Sequence, residues 1–391
     1  MMTNTIKLDY IWIDGDDRAI PRYKTMIIKP NFPNYNKVMT ALDTNDVSKL
    51  PQWNYDGSSC NQAETSDSEI LLQPVFHCPN PFDQHKSYTR NSYIVMCAAY
   101  KYTDKGNLIP AKNNHYDFAK TVFNKETIIK EDFWFGLEQE YYIFDKQYEF
   151  KRQRENDYIQ YTCNVLKQDP TNYIEQKKHQ DNRIYTSLPN QGFYYCASDV
   201  YSFYESIAEE HLDMCLYAGL DISGKNAEVG PGQGEFQVGI VKGINAGHHL
   251  WIARFILAKL AGLQGLSVSF ESKPLRHKNN NEYRFNGSGC HTNFSNKSIR
   301  NIKGYWKYAI EQLEPEHDKF IHNYGDNELR LTGTHETSSL TKFSFGTANR
   351  SASIRVPRAT CEEDKGYLED RRPSSNCDPY LVVGLIASTI C

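Results

Sequence analysis

The sequence predicts a mixed α+β protein, on three observations. Its first hundred residues read as short strands parted by turns, two helical periodicities follow, and strand-like runs punctuated by Gly and Asn return towards the end. In order, Tyr10–Asp14, Tyr23–Ile28 and Tyr93–Tyr100 are strand-like, and Asp14-Gly15 and Asp56-Gly57 are turn signals. The polar stretch Thr103–Asn107 marks the expected passage into a second domain, since 391 residues exceed a typical single one. Phe133–Phe144 reads as an aromatic-rich strand. Asp145–Asn190 holds Lys151, Arg152, Arg154, Lys177 and Lys178, but interleaved acids make it a solvated excursion rather than a basic patch. Tyr201–Gly219 has Phe203, Ile207, Leu212 and Leu216 at near-helical spacing, with Gly219 as its stop. Asn245–Leu266 suits a second, largely buried helix, and Asn286–Arg300 and Leu329–Arg358 mix strands with loops.

Charge and cysteines narrow the function. A net charge of -4 argues against a protein that coats nucleic acid or an acidic membrane surface. None of the ten cysteines forms a C-x-x-C pair, so neither a zinc ribbon nor a thioredoxin-like site is indicated. The start MMTNTIKLDYIW lacks the pattern of a signal peptide, and the apolar tail LVVGLIASTIC is too short to span a bilayer. A cytoplasmic protein with reduced thiols is expected.

Four features carry chemistry. In Glu138-Gln139-Glu140 the two carboxylates share one face of an apolar strand. They form either a solvated acidic edge or a cation-binding wall, since buried carboxylates need neutralising. Glu228-Val229-Gly230-Pro231-Gly232-Gln233-Gly234-Glu235 is a shaped loop that can aim both terminal carboxylates at one point, although acidic Gly-rich turns are also common on surfaces. His291 and Glu369 are each ambiguous alone, as a packed imidazole and a surface ion pair. Five glutamates and one imidazole together suit Mg²⁺ or Mn²⁺ better than a sulfur-seeking metal. Carboxylates around such cations can clamp a transferring phosphoryl group. Arg330, Arg350, Arg355, Arg371 and Arg372 concentrate guanidinium groups, which bind phosphates and carboxylates bidentately, in the last quarter of the chain.

These residues sit in runs that resemble a known family. Trp53-Asn54-Tyr55-Asp56-Gly57-Ser58-Ser59, Gly136-Leu137-Glu138-Gln139-Glu140-Tyr141, Asn226-Ala227-Glu228-Val229, Gly289-Cys290-His291-Thr292-Asn293-Phe294-Ser295, Leu331-Thr332-Gly333-Thr334-His335-Glu336, Ala348-Asn349-Arg350-Ser351-Ala352-Ser353-Ile354-Arg355 and Glu369-Asp370-Arg371-Arg372-Pro373 look like class II glutamine synthetase, in the family's order. The resemblance implies a small N-terminal β-grasp domain (1–103) and a larger catalytic domain (104–391) whose curved antiparallel sheet forms a half-barrel backed by helices. It implies ATP-dependent joining of ammonia to glutamate through γ-glutamyl phosphate, at sites between neighbouring subunits of a homo-oligomer, usually a decamer of two pentameric rings. Two or three Mg²⁺ or Mn²⁺ ions per site are implied. Glu140, Glu228 and Glu235 would hold one, and Glu138, His291 and Glu369 the one nearer the phosphates. Asp56, Ser59, Tyr195 and Glu336 resemble the ammonium site, with Asp56 taking the proton and Glu336 on a shielding flap. Arg330 would hold the glutamate carboxylate, with Asn286 and Gly287 near its amino end. Arg350, Arg355 and Arg371 would face the phosphoryl group, and Trp134, Asn293 and Ser295 the nucleotide. A ligase for another amine, or a non-catalytic homologue, would share most of these runs. The first would alter the acceptor residues and the second would lose ligands, and neither change is present.

Two departures stand out. Gly230 and Gly234 replace a bulky Met and Trp, so the loop before Glu235 should be looser and its metal site weaker than in relatives. The segment Asp145–Asn190 is longer and more polar than the family pattern.

Overall fold

A computed structural model describes residues 5–83, 91–103, 105–145, 195–197, 202–230, 232–274, 286–333 and 337–391. The segment expected to be a polar excursion therefore falls almost wholly outside the described residues.

The first sheet comprises β1 (Ile6–Ile13), β2 (Pro21–Ile28), β3 (Trp53–Asp56), β4 (Glu69–Pro79), β5 (Asn91–Tyr102) and β6 (Leu108–Pro110), in the order β2-β1-β5-β4-β3 with β6 on β5. β1 and β2 form a hairpin, the helix Tyr35–Thr44 follows, and β5 returns parallel to β1, which is the β-grasp arrangement. β1 is mostly apolar because both its faces are covered, and its two charged residues, Lys7 and Asp9, pair with each other at 3.3 Å. Leu8, Tyr10 and Trp12 pack beneath the helix with Val38, Ala41 and Leu42, whereas Ile11 and Ile13 point into the larger core. Because β6 pairs with β5, this sheet runs on beyond residue 103.

The second sheet comprises β7 (Trp134–Asp145), β8 (Ile222–Ala227), β9 (Gln233–Lys242), β10 (Leu266–Ser269), β11 (Cys290–Ser295), β12 (Phe345–Thr347), β13 (Ile354–Val356) and β14 (Leu368–Asp370). Its order is β12-β13-β14-β11-β7-β9-β8 with β10 on β7, and it curls as a half-barrel. Among the described strands of this sheet, only β12 and β13 pair in parallel. The helix Asn245–Leu263 lies behind it, buried along most of its length, and the helix Pro379–Ile390 packs on the same core. The first of these was expected to reach Leu266. It stops at Leu263 because Gly265 takes a left-handed φ of 75° and turns the chain into β10. The apolar tail is a core helix, started by Asp378 accepting from Tyr380 N at 2.8 Å with Pro379 at the first turn. Among the described residues, no helix is long and apolar enough to cross a membrane.

Candidate active site

The site is built on β7. Side chains alternate along a strand, so Glu138 and Glu140 face one side and Gln139 the other. Register then supplies the neighbours. Glu138 lies opposite His291 on β11, Glu140 opposite Glu235 on β9, and Glu369 on β14 opposite Asn293. Two groups result, Glu138–His291–Glu369 and Glu140–Glu228–Glu235, and within each the potential ligand atoms lie within 4.8 Å of one another. His291 Nδ1 is 3.7 Å from Glu138 Oε2 and 3.7 Å from Glu140 Oε1, so the groups adjoin.

Glu140, Glu228 and Glu235 are all buried. Burial, followed by repulsion from its neighbours, pushes the Glu140 carboxyl well above the ordinary range; burial also raises Glu228, and with the Glu138 charge it lifts Glu235 to about 8. Three such anions cannot stay charged together without a cation. Burial and the Arg371 charge hold His291 well below its ordinary value, which leaves the neutral imidazole that metals bind. The donor set fits hard divalent cations.

Amides aim the carboxylates. Gly289 N donates to Glu140 Oε2 at 2.9 Å and Gln233 Nε2 to the same oxygen at 3.1 Å. Asn226 Nδ2 donates to Glu228 Oε1 at 3.1 Å, Asn293 Nδ2 to Glu138 Oε1 at 2.7 Å, and Gln237 Nε2 to Glu235 Oε1. Gln233 also braces the glycine loop. Its main chain pairs with Glu228 N at 3.0 Å and Gly230 O at 3.0 Å, while its Oε1 accepts from Gly230 N at 2.9 Å and Tyr142 Oη at 3.2 Å. A Cβ on Gly230 would fall 2.2 Å from Tyr142 Oη. Among the described residues these bonds brace the loop, and glycine at 230 meets a packing demand.

The arginines border this cluster. Arg355 Nη1 donates to Glu369 Oε2 at 2.6 Å and Arg371 Nη1 to Oε1 at 2.5 Å. Arg371 Nε donates to the Arg350 carbonyl at 2.9 Å. Arg350 is exposed, and its charge is felt at both Glu228 and His291. Arg330 is buried; its Nη2 donates to the carbonyls of Arg371, Arg372 and Pro373 at 3.2, 2.5 and 3.0 Å. Gly287 and Gly289 lie against it, and a Cβ on Gly289 would come 2.8 Å from His291 Nε2 and 3.1 Å from Arg330 Nη1. The Asn286 carbonyl accepts from Tyr142 Oη at 3.0 Å.

Tyr195 lies near the second group, since Cys196 N donates to the Ala227 carbonyl at 3.1 Å, and burial, with the Glu228 and Glu235 charges among the lesser causes, raises its phenol. Trp134 and Ser295 lie opposite each other at the far end of β7. There Arg300 stacks over the Trp134 ring at 4.0 Å and donates to Ser295 Oγ at 3.0 Å. Asp56 and Ser59 stand apart, at the exposed end of β3 in the first sheet and in the short turn Gly57–Cys60 that follows it. Asp56 Oδ1 accepts from Ser58 N at 3.0 Å and Oδ2 from Ser59 Oγ at 2.9 Å. No described contact joins them to either glutamate group. Glu336 lies outside the described residues. Sequence reasoning passed over Asn226, Gln233, Gln237 and Arg300. The period-two series Gln233, Glu235, Gln237 was the one available signal, and it reads equally as an ordinary polar strand face.

A half-barrel lined by two adjoining carboxylate-rich ligand groups and bordered by arginines defines a divalent-metal-dependent enzyme of phosphoryl transfer. The family model described as the glutamine synthetase catalytic domain matches residues 119–302. Over 98% of its length the chain is 41% identical to a glutamine synthetase of Saccharomyces cerevisiae, covering 88% of that protein. It is 40% identical to a nodule isozyme of Lupinus luteus over 99% of this chain and 95% of the relative. It is 39% identical to a cytosolic isozyme of Oryza sativa subsp. japonica over 99% and 94%. The chain belongs to the glutamine synthetase family, of the eukaryotic type. It is a glutamate–ammonia ligase that uses ATP and a divalent metal.

Proposed function

We propose that the two ligand groups on β7 and its neighbours are the metal and phosphoryl-transfer centre for making glutamine. The observation that carries this is the bridging position of His291 Nδ1, 3.7 Å from both Glu138 and Glu140. Glu140, Glu228 and Glu235 would hold one Mg²⁺ or Mn²⁺, and Glu138, His291 and Glu369 the one nearer the phosphates. A bound divalent cation supplies charge neutralisation at the phosphate oxygens.

The chain's own residues do the rest. The γ-carboxylate of glutamate attacks the γ-phosphorus of ATP, ADP leaves, and the resulting γ-glutamyl phosphate loses phosphate when the nitrogen of ammonia attacks its acyl carbon. Arg355 and Arg371, ranged along Glu369, and Arg350 stabilise the phosphoryl oxygens as charge shifts among them. Arg330 orients the glutamate carboxylate, with Asn286 and Gly287 at the amino end. Trp134 and Ser295, with Arg300, receive the nucleotide, and Asn293 aims Glu138. Asp56 is an exposed carboxylate, anionic at neutral pH as such groups are, and the Ser58 and Ser59 hydroxyls hold its carboxyl below the ordinary range, so it attracts ammonium before taking its proton. Tyr195 and Glu336 enclose that nitrogen and keep water from the acyl phosphate.

The exposure of Asp56 and Ser59, away from the glutamates, supports a site shared with a neighbouring copy in a homo-oligomer, with the decamer as the expected assembly. The described cysteines are all free, and the rice relative is named a cytosolic isozyme, which supports a cytoplasmic location. The pairing of β6 with β5 supports a β-grasp unit that runs a few residues past 103 before the catalytic unit begins.

The test is phosphate release from glutamate, ATP and Mg²⁺ with and without ammonium, with glutamine assayed in parallel. Ammonium-dependent release matched by glutamine is expected. Release only with another amine would move the acceptor assignment, and silence with every amine and both metals would sink the catalytic reading.

A further inference from the structure

Behind β7 lies a polar cluster that the mechanism leaves unused. Arg254, midway along the helix Asn245–Leu263, is 2% exposed, and among the described residues it forms no ion pair. Its guanidinium donates instead to neutral acceptors. Nε and Nη2 reach Gln139 Oε1 at 2.8 and 2.5 Å, Nη2 the Ser375 carbonyl at 2.8 Å, and Nη1 the Cys377 carbonyl at 2.8 Å. Gln139 passes the contact on, its Nε2 donating to the Glu140 carbonyl at 2.8 Å and to Ser375 Oγ at 2.8 Å. Ser375 Oγ donates to the same Glu140 carbonyl at 2.6 Å.

That carbonyl needs them. The pairing of β7 with β11 ends at Gln139 opposite Cys290, and Glu140 N donates to the Gly289 carbonyl at 3.1 Å. In an antiparallel strand a residue's N–H and C=O point to the same side, so the Glu140 carbonyl faces the place where β11 has already ended. Buried and without a ladder partner, it would be an orphan acceptor. Gln139 and Ser375 satisfy it, and Arg254 holds both in place.

We propose that Arg254 is a positioning residue for the metal centre. By locking Gln139 and the Ser375–Cys377 segment it fixes the peptide from which Glu140 projects, and with it the spacing of Glu138 and Glu140 on the opposite face. This rests on the assignment of Glu138 and Glu140 as metal ligands. Packing alone is the competing account, because Arg254 also stacks over Trp251 at 4.8 Å and Phe270 at 5.4 Å. Packing alone would cost stability without touching metal affinity.

The experiment titrates Mn²⁺ alone into the full-length protein and follows the free-ion electron paramagnetic resonance signal, at a temperature where melting curves show every variant folded. Arg254→Lys and Ser375→Ala should each weaken Mn²⁺ binding about 10- to 100-fold, the range for groups that orient metal ligands, and excess Mn²⁺ should restore much of the lost kcat. Glu140→Gln should lose the site. If Arg254→Lys and Ser375→Ala bind like the parent while Glu140→Gln does not, the positioning role is overturned and the metal assignment stands. If Glu140→Gln also binds normally, the metal assignment goes, and the proposal with it. Should Arg254→Lys not fold, Ser375→Ala decides, since it removes one hydroxyl and leaves the helix intact.

Discussion

The two sheets treat their candidate site carboxylates in opposite ways. The half-barrel crowds Glu140, Glu228 and Glu235 together under cover, where burial and mutual repulsion push their carboxyls upward. The β-grasp sheet leaves Asp56 in solvent and surrounds it with hydroxyl and amide donors that pull its carboxyl downward. The first arrangement has high energy until a dication arrives, and so it suits metal. The second is a stable, accessible anion, and so it suits a small cation met at a surface. One region gathers its ligand groups within the chain, whereas the other, on the proposed reading, completes a site only with a neighbouring copy.

The comparison breaks most sharply at Glu140. Glu140→Gln should lower glutamine synthesis by at least ~10³-fold, since a ligand to a cation that neutralises transferring charge is removed. Asp56→Asn should cost ~10²–10⁴-fold, the usual worth of a positioned proton acceptor, yet leave Mn²⁺ binding untouched. A parallel loss of Mn²⁺ affinity would mean that the two regions are not separate. Co-assembly of Asp56→Asn with Glu140→Gln subunits sharpens the point. Partial recovery of activity is expected if Asp56 serves a neighbour's metal centre, and none if each chain serves its own.

Smaller effects test the cluster's energetics. Gly230→Ala should destabilise the protein by about 1–3 kcal/mol in urea titrations, because a methyl group must displace Tyr142 Oη or Gln233. An unchanged midpoint would show that the hairpin yields easily. The smallest expected effect is on pH dependence. With Glu235 raised to about 8, the folded metal-free protein binds a proton that the unfolded chain releases near pH 4–5. The folded state therefore holds more protons across that window, and stability must fall as pH rises through it. In EDTA, Tm should decline by a few degrees, roughly, between pH 5.5 and 8.5, and saturating Mg²⁺ should flatten or reverse the slope. A Tm that rises with pH in EDTA would contradict the buried-anion account.

Much of this was legible in the chain. The period-two spacing of Glu138 and Glu140 puts them on one strand face wherever that strand lies, and the turn at Gly219 and the buried helix from Asn245 follow from local patterns. Chemistry was legible too, since five glutamates and an imidazole can do few things together. The bracing was not. Gln233 lies between two glycines in the sequence, yet its side chain braces the loop through partners on β7 and in the loop itself. Arg254 is a charge within an apolar stretch of helix, and its acceptors lie more than a hundred residues away on either side.

By itself the sequence determined the ligand types, their alternation along each strand and the two-part α+β plan, because backbone geometry sets those periods residue by residue. Tertiary structure alone decided that Glu235 faces Glu140, that His291 spans the two groups, that Arg330 meets the carbonyls of residues 371–373, and that Asp56 stays apart from them all. Register and burial are cooperative outcomes of packing a whole sheet against its helices. A local run of residues carries no record of which distant run it will be pressed against.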